Sequence, residues 1–544
     1  MIKTIENNPI LTIVIVVLIM LSINIDVLDV TIMEARNFIT AREMINDGNW
    51  LLTTMNGEAR YQKPPLPTWF AALSGLMFGI KNILALRFPG IIMVILTGVY
   101  SYLLSNLLLK NKVQSLINAL ITVTSFYIIG IVIEAPWDIF SHGFMLIGIF
   151  HLFHFFEKEK QYWRHVLFSG FFIGFSIMSK GPVSFYALLL PFLISYGVTY
   201  KYKLIKTKIV SIFSILVLML LVGGWWFLYV RLVDPDTFLR ITNKETGNWG
   251  SYNIRPFYYY WSFFTQSGIW TIPAFIGLLY PYLKTRVSNL KAYKFSFYWT
   301  IFAVILLSII PEKKSRYLMP VLIPLAINTG FYIEYLIREF RNIKDKKETI
   351  PVYFNFGLIA FIGIAFPLVG YLFLKDTTDI NWIWFTVASI VLFTIGILIA
   401  LKLKQKQLKL VFYLIISFVM SVFVFVLPLS KGLKSDNYKS ISSLKMKVEK
   451  ENLKIYSFGY VSPEMIWDFG DKIPQIKIND STYNFPKDNK FGILVRDFNP
   501  TDTKLLKENY NIVQHNTYDL NHSEPDTKKH KDRLVSHYYV LTKK

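Results

Sequence analysis

The sequence predicts an α-helical polytopic membrane protein with a small α/β domain after its last span. Three observations lead there. The 544-residue chain is 53% hydrophobic with a mean hydropathy of +0.40, an average that soluble domains rarely sustain over such a length. Continuous apolar runs, each long enough to cross roughly 30 Å of hydrocarbon as a helix, recur from the first residues onward. Lysines and arginines gather in the short loops between alternate runs, the pattern of the positive-inside rule. Helices satisfy their own backbone in lipid, whereas barrel strands would alternate polar and apolar residues, which these runs do not.

Taken in order, about thirteen spans are expected, roughly at 9–25, 84–108, 114–133, 139–156, 165–179, 183–199, 209–231, 259–283, 295–310, 317–337, 351–374, 382–401 and 408–430. No small-residue cleavage site follows the first, so it reads as an uncleaved span. Loops rich in lysine and arginine, such as 158–164, 201–208, 284–294 and 338–347, fall on one side, predicted cytoplasmic. The segment 33–69, the turn 134–138, residues 179–182, 232–258 and 311–316, and the C-terminal tail fall on the other. The net charge of +22 thus follows from topology, and no nucleic-acid partner is expected. Cysteine is absent, which excludes disulfides, thiolate metal sites and a cysteine nucleophile. Past Leu429 the apolar runs cease. Residues 1–434 read as the transmembrane domain, with 26–83 its first outer loop, and 435–544 as an outer α/β domain. Strand-like runs stand at Lys454–Tyr460, Gly492–Phe498 and Ser536–Thr542, and a helix is predicted from a Thr501/Asp502 cap.

The first outer loop is the segment richest in chemistry. Glu34–Met44 reads as a short amphipathic helix with Phe38, Ala41 and Ile45 on one face, suited to the membrane interface. Asp47-Gly48 and Asn56-Gly57 are turn signals. The stretch Tyr61-Gln62-Lys63-Pro64-Pro65-Leu66-Pro67 is stiff and extended and fixes Lys63 in place. Further on, Trp249, Tyr252, Tyr258, Tyr259 and Tyr260 form either an interfacial belt or a lid over a cavity. His151 and His154 lack a carboxylate cage and read as structural. No nucleotide fingerprint or Ser-His-Asp arrangement stands out.

The stretches EARNFITAREMINDGNWL and NGEARYQKPPLPTW resemble the first outer loop of GT-C glycosyltransferases, in the branch similar to protein O-mannosyltransferases and lipid A aminoarabinose transferases. MSKGPV at 178–183, GWWFLYV at 224–230 and EKKSRYLMPVLIPLA at 312–326 agree in order and spacing. The resemblance covers roughly residues 10 to 330. It implies a membrane glycosyltransferase that moves a sugar from a polyprenyl-phosphate donor to a hydroxyl or lipid-phosphate acceptor at the outer face of the cytoplasmic membrane. The acceptor could be a lipid, a glycan or a protein. A transporter or lipid flippase is the alternative from a different class; it predicts repeats and ionisable residues near the midplane, and neither is evident.

The resemblance also implies roles. A carboxylate near the acceptor hydroxyl takes its proton, and cations near the leaving phosphate stabilise its developing charge. Glu34 aligns with the second member of an acidic pair whose first position here is Met33, so the base is Glu34 or a nearby acid, Asp29 or Asp26. Asp138 is the second catalytic candidate, and its alternative role is to suit the dipole of the span it opens. Lys63, Lys180 and Arg316 are expected on the donor phosphate, with Arg60, Tyr61, Tyr317 and Glu134 as further binding candidates. For Lys180 the alternative is snorkelling. Gln62 stands where some relatives carry a glutamate that joins a metal site. No metal ligands are assigned and no cofactor is implied, although a divalent metal stays open.

Overall fold

The computed structural model describes residues 2–203, 205–377, 379–477 and 482–544. Among them, nine helices are long and apolar enough to cross a membrane, and ten if the pair Lys112–Thr124 and Phe126–Glu134, bent by 43°, counts as one span. The protein is thus a multi-pass membrane protein. Three predicted spans take less regular forms. The one at 165–179 is the helix Trp163–Lys180, less apolar because it carries Arg164, His165 and Lys180 at its ends. The one at 183–199 opens with a π-helical turn, Phe185–Leu189, before Leu190–Thr199. The one at 259–283 is broken into Phe257–Tyr260, Phe263–Trp270, Thr271–Gly277 and Tyr280–Leu283. Gly268, at a positive φ of 65°, kinks the segment Phe263–Trp270 from within.

The loop after the first span folds onto the bundle rather than into an interface. Its helix, Ile32–Asp47, starts at a capping box in which Thr31 Oγ1 accepts from the Glu34 N–H and Glu34 accepts from the Thr31 N–H. It stops at Gly48, left-handed at φ 76°. Asn37, Phe38, Thr40, Ala41, Arg42, Glu43 and Met44 are all buried, so both faces are covered and the expected interfacial helix is not what forms. Asn56 and Gly57, both at positive φ, make the turn between β1 (Thr54–Met55) and β2 (Glu58–Ala59). Glu43 closes the turn by accepting from Thr54 Oγ1 at 2.6 Å and the Asn56 N–H at 2.6 Å.

The C-terminal domain carries a four-stranded sheet. Its strands are β3 (Ile455–Ser457), β4 (Lys490–Val495), β5 (Tyr510–Asp519) and β6 (Val535–Lys543), in the order β3-β4-β6-β5. Only β3 and β4 run parallel. The helix Pro500–Asn509 begins one turn earlier than expected, because the Asn499 side chain accepts from the Asp502 N–H at 2.7 Å. This domain packs on the loop helix. Arg42 donates to Asp471 O at 3.1 Å and lies over Trp467, while Asn56 and Ile473 exchange two hydrogen bonds.

Candidate functional site

Side chains from four separate segments converge where the loop meets the bundle. Lys63 precedes Pro64 and Pro65, which cannot donate to a ladder and lead into the helix Leu66–Phe78. Asp138 sits in the first turn of Pro136–Glu157, Lys180 ends Trp163–Lys180, and Arg316 and Tyr317 open Ser315–Val321. Asp138 and Lys180 form an ion pair that is almost wholly buried. The Lys180 ammonium lies 4.8 Å from the Tyr317 ring, and Lys314, paired with Glu312 at 2.6 Å, reaches the same ring. The pairing replaces the simple snorkelling reading of Lys180: its charge is turned inward to a carboxylate.

Lys63 is held beside this pair without a partner of its own. Among the described residues its ammonium has no hydrogen bond and no ion pair, and its electrostatic neighbours are Lys180, Glu245, Asp138 and Arg60. Burial and then the charge of Lys180 push the Lys63 ammonium down to about 8. Arg60 is stacked on Trp137, with its Cζ 5.0 Å from the ring, and donates to Thr40 Oγ1 at 2.9 Å and Arg36 O at 3.0 Å. Burial and the nearby Arg36 push its guanidinium down to about 9. Arg60 is thus committed to the loop's own structure. Tyr61 likewise donates to Asp234 at 2.9 Å and is set edge-on to Trp226.

Next to the pair opens a polar cavity of about 310 Å³, lined by Tyr127, Glu134, Arg255, Tyr259, Lys314 and Arg316 among others. Arg316 and Glu134 are electrostatic neighbours, and Glu134 also feels Asp138. The geometry therefore brings together Asp138, Lys63, Lys180, Arg316, Tyr317 and Glu134. Of the expected aromatic cluster, Tyr259 lines this cavity, whereas Tyr252 and Tyr258 are exposed and the side chain of Trp249 lies outside the described residues.

Two of the acids expected as base, Glu34 and Asp29, are held by partners outside this cluster. Glu34 is fully buried and both its oxygens are held by one guanidinium, Arg87 Nε at 2.7 Å and Nη2 at 2.9 Å. Burial raises the Glu34 carboxyl above its usual range even against that arginine. Arg87 also donates to Ile25 O, Leu28 O and Asp29 O, so one side chain ties the end of the first span to the loop helix. Asp29 points at the C-terminal domain, where His522 binds its carboxylate. Burial acts to raise the Asp29 carboxyl, but the hydrogen bond and charge of His522 outweigh it and hold it below its usual value. Asp26 stands in the single turn Ile25–Val27, between the first span and Asp29.

The sequence reading missed Arg87, Arg255, Tyr127 and Arg36. Arg87 had a signal: an arginine inside a long apolar helix demands a buried partner. Arg255 and Tyr127 had none, since only the bend between two helices and the return of a distant loop bring them to one cavity. Among the described residues no three His, Asp or Glu side chains are placed to hold a metal ion, and His151 instead shares a 3.0 Å contact with His165 inside an aromatic cluster.

Comparison with known proteins shows a shared architecture. Residues 62–227 match the profile of the dolichyl-phosphate-mannose-protein mannosyltransferase family. ArnT from Cupriavidus metallidurans, crystallised with undecaprenyl phosphate, superposes with a TM-score of 0.67 at 14% identity, over 98% of this chain and 97% of that one. The chain has the GT-C fold. The resemblance read in the first outer loop is borne out in this architecture. An uncharacterized protein from Aquifex aeolicus is 28% identical over 302 residues, 54% of this chain and 57% of that protein. An undecaprenyl phosphate-alpha-4-amino-4-deoxy-L-arabinose arabinosyl transferase from Proteus mirabilis is 24% identical over 340 residues, 61% of this chain and 59% of the relative. The chain thus matches somewhat more than half the length of these relatives.

Proposed function

We propose that the protein is a membrane glycosyltransferase that moves a sugar from a polyprenyl-phosphate donor to an acceptor at the outer face of the cytoplasmic membrane. The observation that carries this reading is the unpaired Lys63 ammonium held against the buried Asp138–Lys180 pair at one end of the bundle. A half-desolvated cation without a counter-ion is suited to an incoming phosphate. Arg316, at the neighbouring cavity, is suited to the same group or its sugar side. In this reading the cations bind the donor phosphate and stabilise the charge that develops on it as the anomeric bond breaks. Asp138 keeps Lys180 oriented. The basic loops at the opposite end of the spans support an outward-facing site. The Proteus mirabilis relative, by its name, acts on an undecaprenyl-phosphate aminoarabinose donor, and a donor of that chemical class is the first to test.

The test is transfer of label from a radiolabelled undecaprenyl-phosphate sugar, aminoarabinose or mannose, into a bacterial membrane extract by the purified protein in lipid nanodiscs. Wild type is expected to transfer, and Lys63→Met to lose about 10²–10³-fold in rate while keeping its thermal unfolding profile. Equal transfer by Lys63→Met, or none by wild type, overturns the proposal.

A further inference from the structure

We infer that Glu134 is the general base of this transfer, a deeper reading that rests on the proposed activity. Met33, at the head of the loop helix, has a thioether that cannot accept a proton at neutral pH. The acid beside it, Glu34, has no exposed surface and both oxygens held by Arg87. Asp29 is taken by His522, Glu312 by Lys314, and Asp138 by Lys180. Glu134 differs from all of these. Its carboxylate has no hydrogen bond or ion pair among the described residues, and it lines the polar cavity between Arg316 and Tyr127. Glu245, the other acid near Lys63, rides on the largely exposed helix Pro235–Ser251 and does not line that cavity.

The chain places Glu134 there by a local device. It ends the helix Phe126–Glu134, and Pro136 starts the next, so the turn between them turns Glu134 toward the cavity while Asp138, four residues on, faces Lys180. Asp138 is an electrostatic neighbour of Lys63, Lys180 and Glu134 alike, which puts cavity and phosphate cations in one centre. In the reaction, the acceptor hydroxyl oxygen forms its bond to the anomeric carbon as the bond from that carbon to the phosphate oxygen breaks. The bonding pair leaves on the polyprenyl phosphate beside Lys63 and Lys180, and the hydroxyl proton passes to the Glu134 carboxylate, from which water removes it. The positive charge of Arg316 lies beside the Glu134 carboxylate.

Glu134→Gln, Glu134→Asp and Glu134→Ala are compared with wild type in the nanodisc transfer assay, with donor binding and thermal unfolding as checks on folding. Glu134→Gln is expected to lose about 10²–10⁴-fold in kcat with donor binding unchanged, and to lose the fall in kcat at acid pH that wild type shows. Glu134→Asp retains that acid limb at a reduced rate, and added formate or azide restores part of the Glu134→Ala activity. Transfer by Glu134→Gln within a few-fold of wild type, or a slower rate with the acid limb intact and no rescue of Glu134→Ala, overturns the assignment while leaving the transferase reading in place. Failure of wild type to transfer label overturns both.

Discussion

Two places in this molecule set a glutamate against an arginine near the end of the same bundle, and they do opposite things. At the first, Glu34 and Arg87 bury each other completely, and every oxygen and most donors are spoken for. At the second, Glu134 and Arg316 line an open cavity with neither partnered by a hydrogen bond. The residue types are the same; what differs is how many of their hydrogen-bonding positions the fold has already filled. A satisfied pair is a fastener, because moving it exposes a charge that nothing else compensates. An unsatisfied set is where a ligand gains by arriving, because the fold has desolvated the cations in advance.

The sharpest way to break that contrast is to unfasten the closed pair. Arg87→Met leaves the Glu34 carboxylate buried without a counter-charge, along with three backbone carbonyls that lose their donor. A loss of about 3–5 kcal/mol in stability is expected, measured by denaturant unfolding of the detergent-solubilised protein and accompanied by proteolysis within residues 26–83. Near-normal stability would make the Glu34 node no more than a surface-like pair and remove the basis for the contrast.

A second experiment, smaller in effect, reads the open side through pH. The Lys63 ammonium is pushed down to about 8 by burial, against 10.5 for an ordinary lysine. Its charge is therefore lost between these values in the folded protein and kept in the unfolded one. The sign follows: this group penalises the fold fully below about pH 8, and the penalty is relieved as pH rises from about 8 toward 10.5. Phosphate binding runs the other way and weakens as pH rises through about 8, because the neutral amine attracts no anion. Titration of undecaprenyl phosphate binding from pH 6 to 10 is expected to show this loss in wild type. The loss is absent in Lys63→Arg, whose charge persists. A flat wild-type profile would place the anion elsewhere.

The smallest effect belongs to the latch between this loop and the C-terminal domain. His522 and Asp29 are 40% and 46% exposed, so their pair is screened by water. His522→Ala is expected to cost under about 1 kcal/mol, and transfer should persist, since Arg42 on Asp471 and Asn56 on Ile473 still hold the domain down. Loss of transfer in this variant would return Asp29 to the chemistry.

The site was legible in part. Lys63, Lys180, Arg316 and Asp138 stood out because polar residues at the ends of apolar spans are few and because the Lys-Pro-Pro segment has little conformational freedom. Glu34 and Asp29 stood out equally, and in the packed molecule each is held by a partner. Nothing in a linear pattern tells that Arg87, more than fifty residues on, closes over Glu34, or that His522, near the chain's end, reaches back to Asp29. The strand β5 was missed for a related reason. Its residues Tyr510–Asp519 are mostly polar and exposed, and pairing with β6 rather than an alternating pattern makes it a strand.

By itself the sequence determined that the chain lives in a membrane, roughly where its long apolar helices lie, and that the loop after its first span holds a helix, turns and a rigid lysine. Those are local matters, decided by hydrocarbon length, caps and proline. Tertiary structure alone decided which acids are fasteners and which are free, because that depends on distant side chains filling, or leaving open, the hydrogen-bonding positions of each carboxylate. Satisfaction is a property of the packed molecule, and it sets Glu34, held by Arg87, apart from Glu134, which lines the cavity.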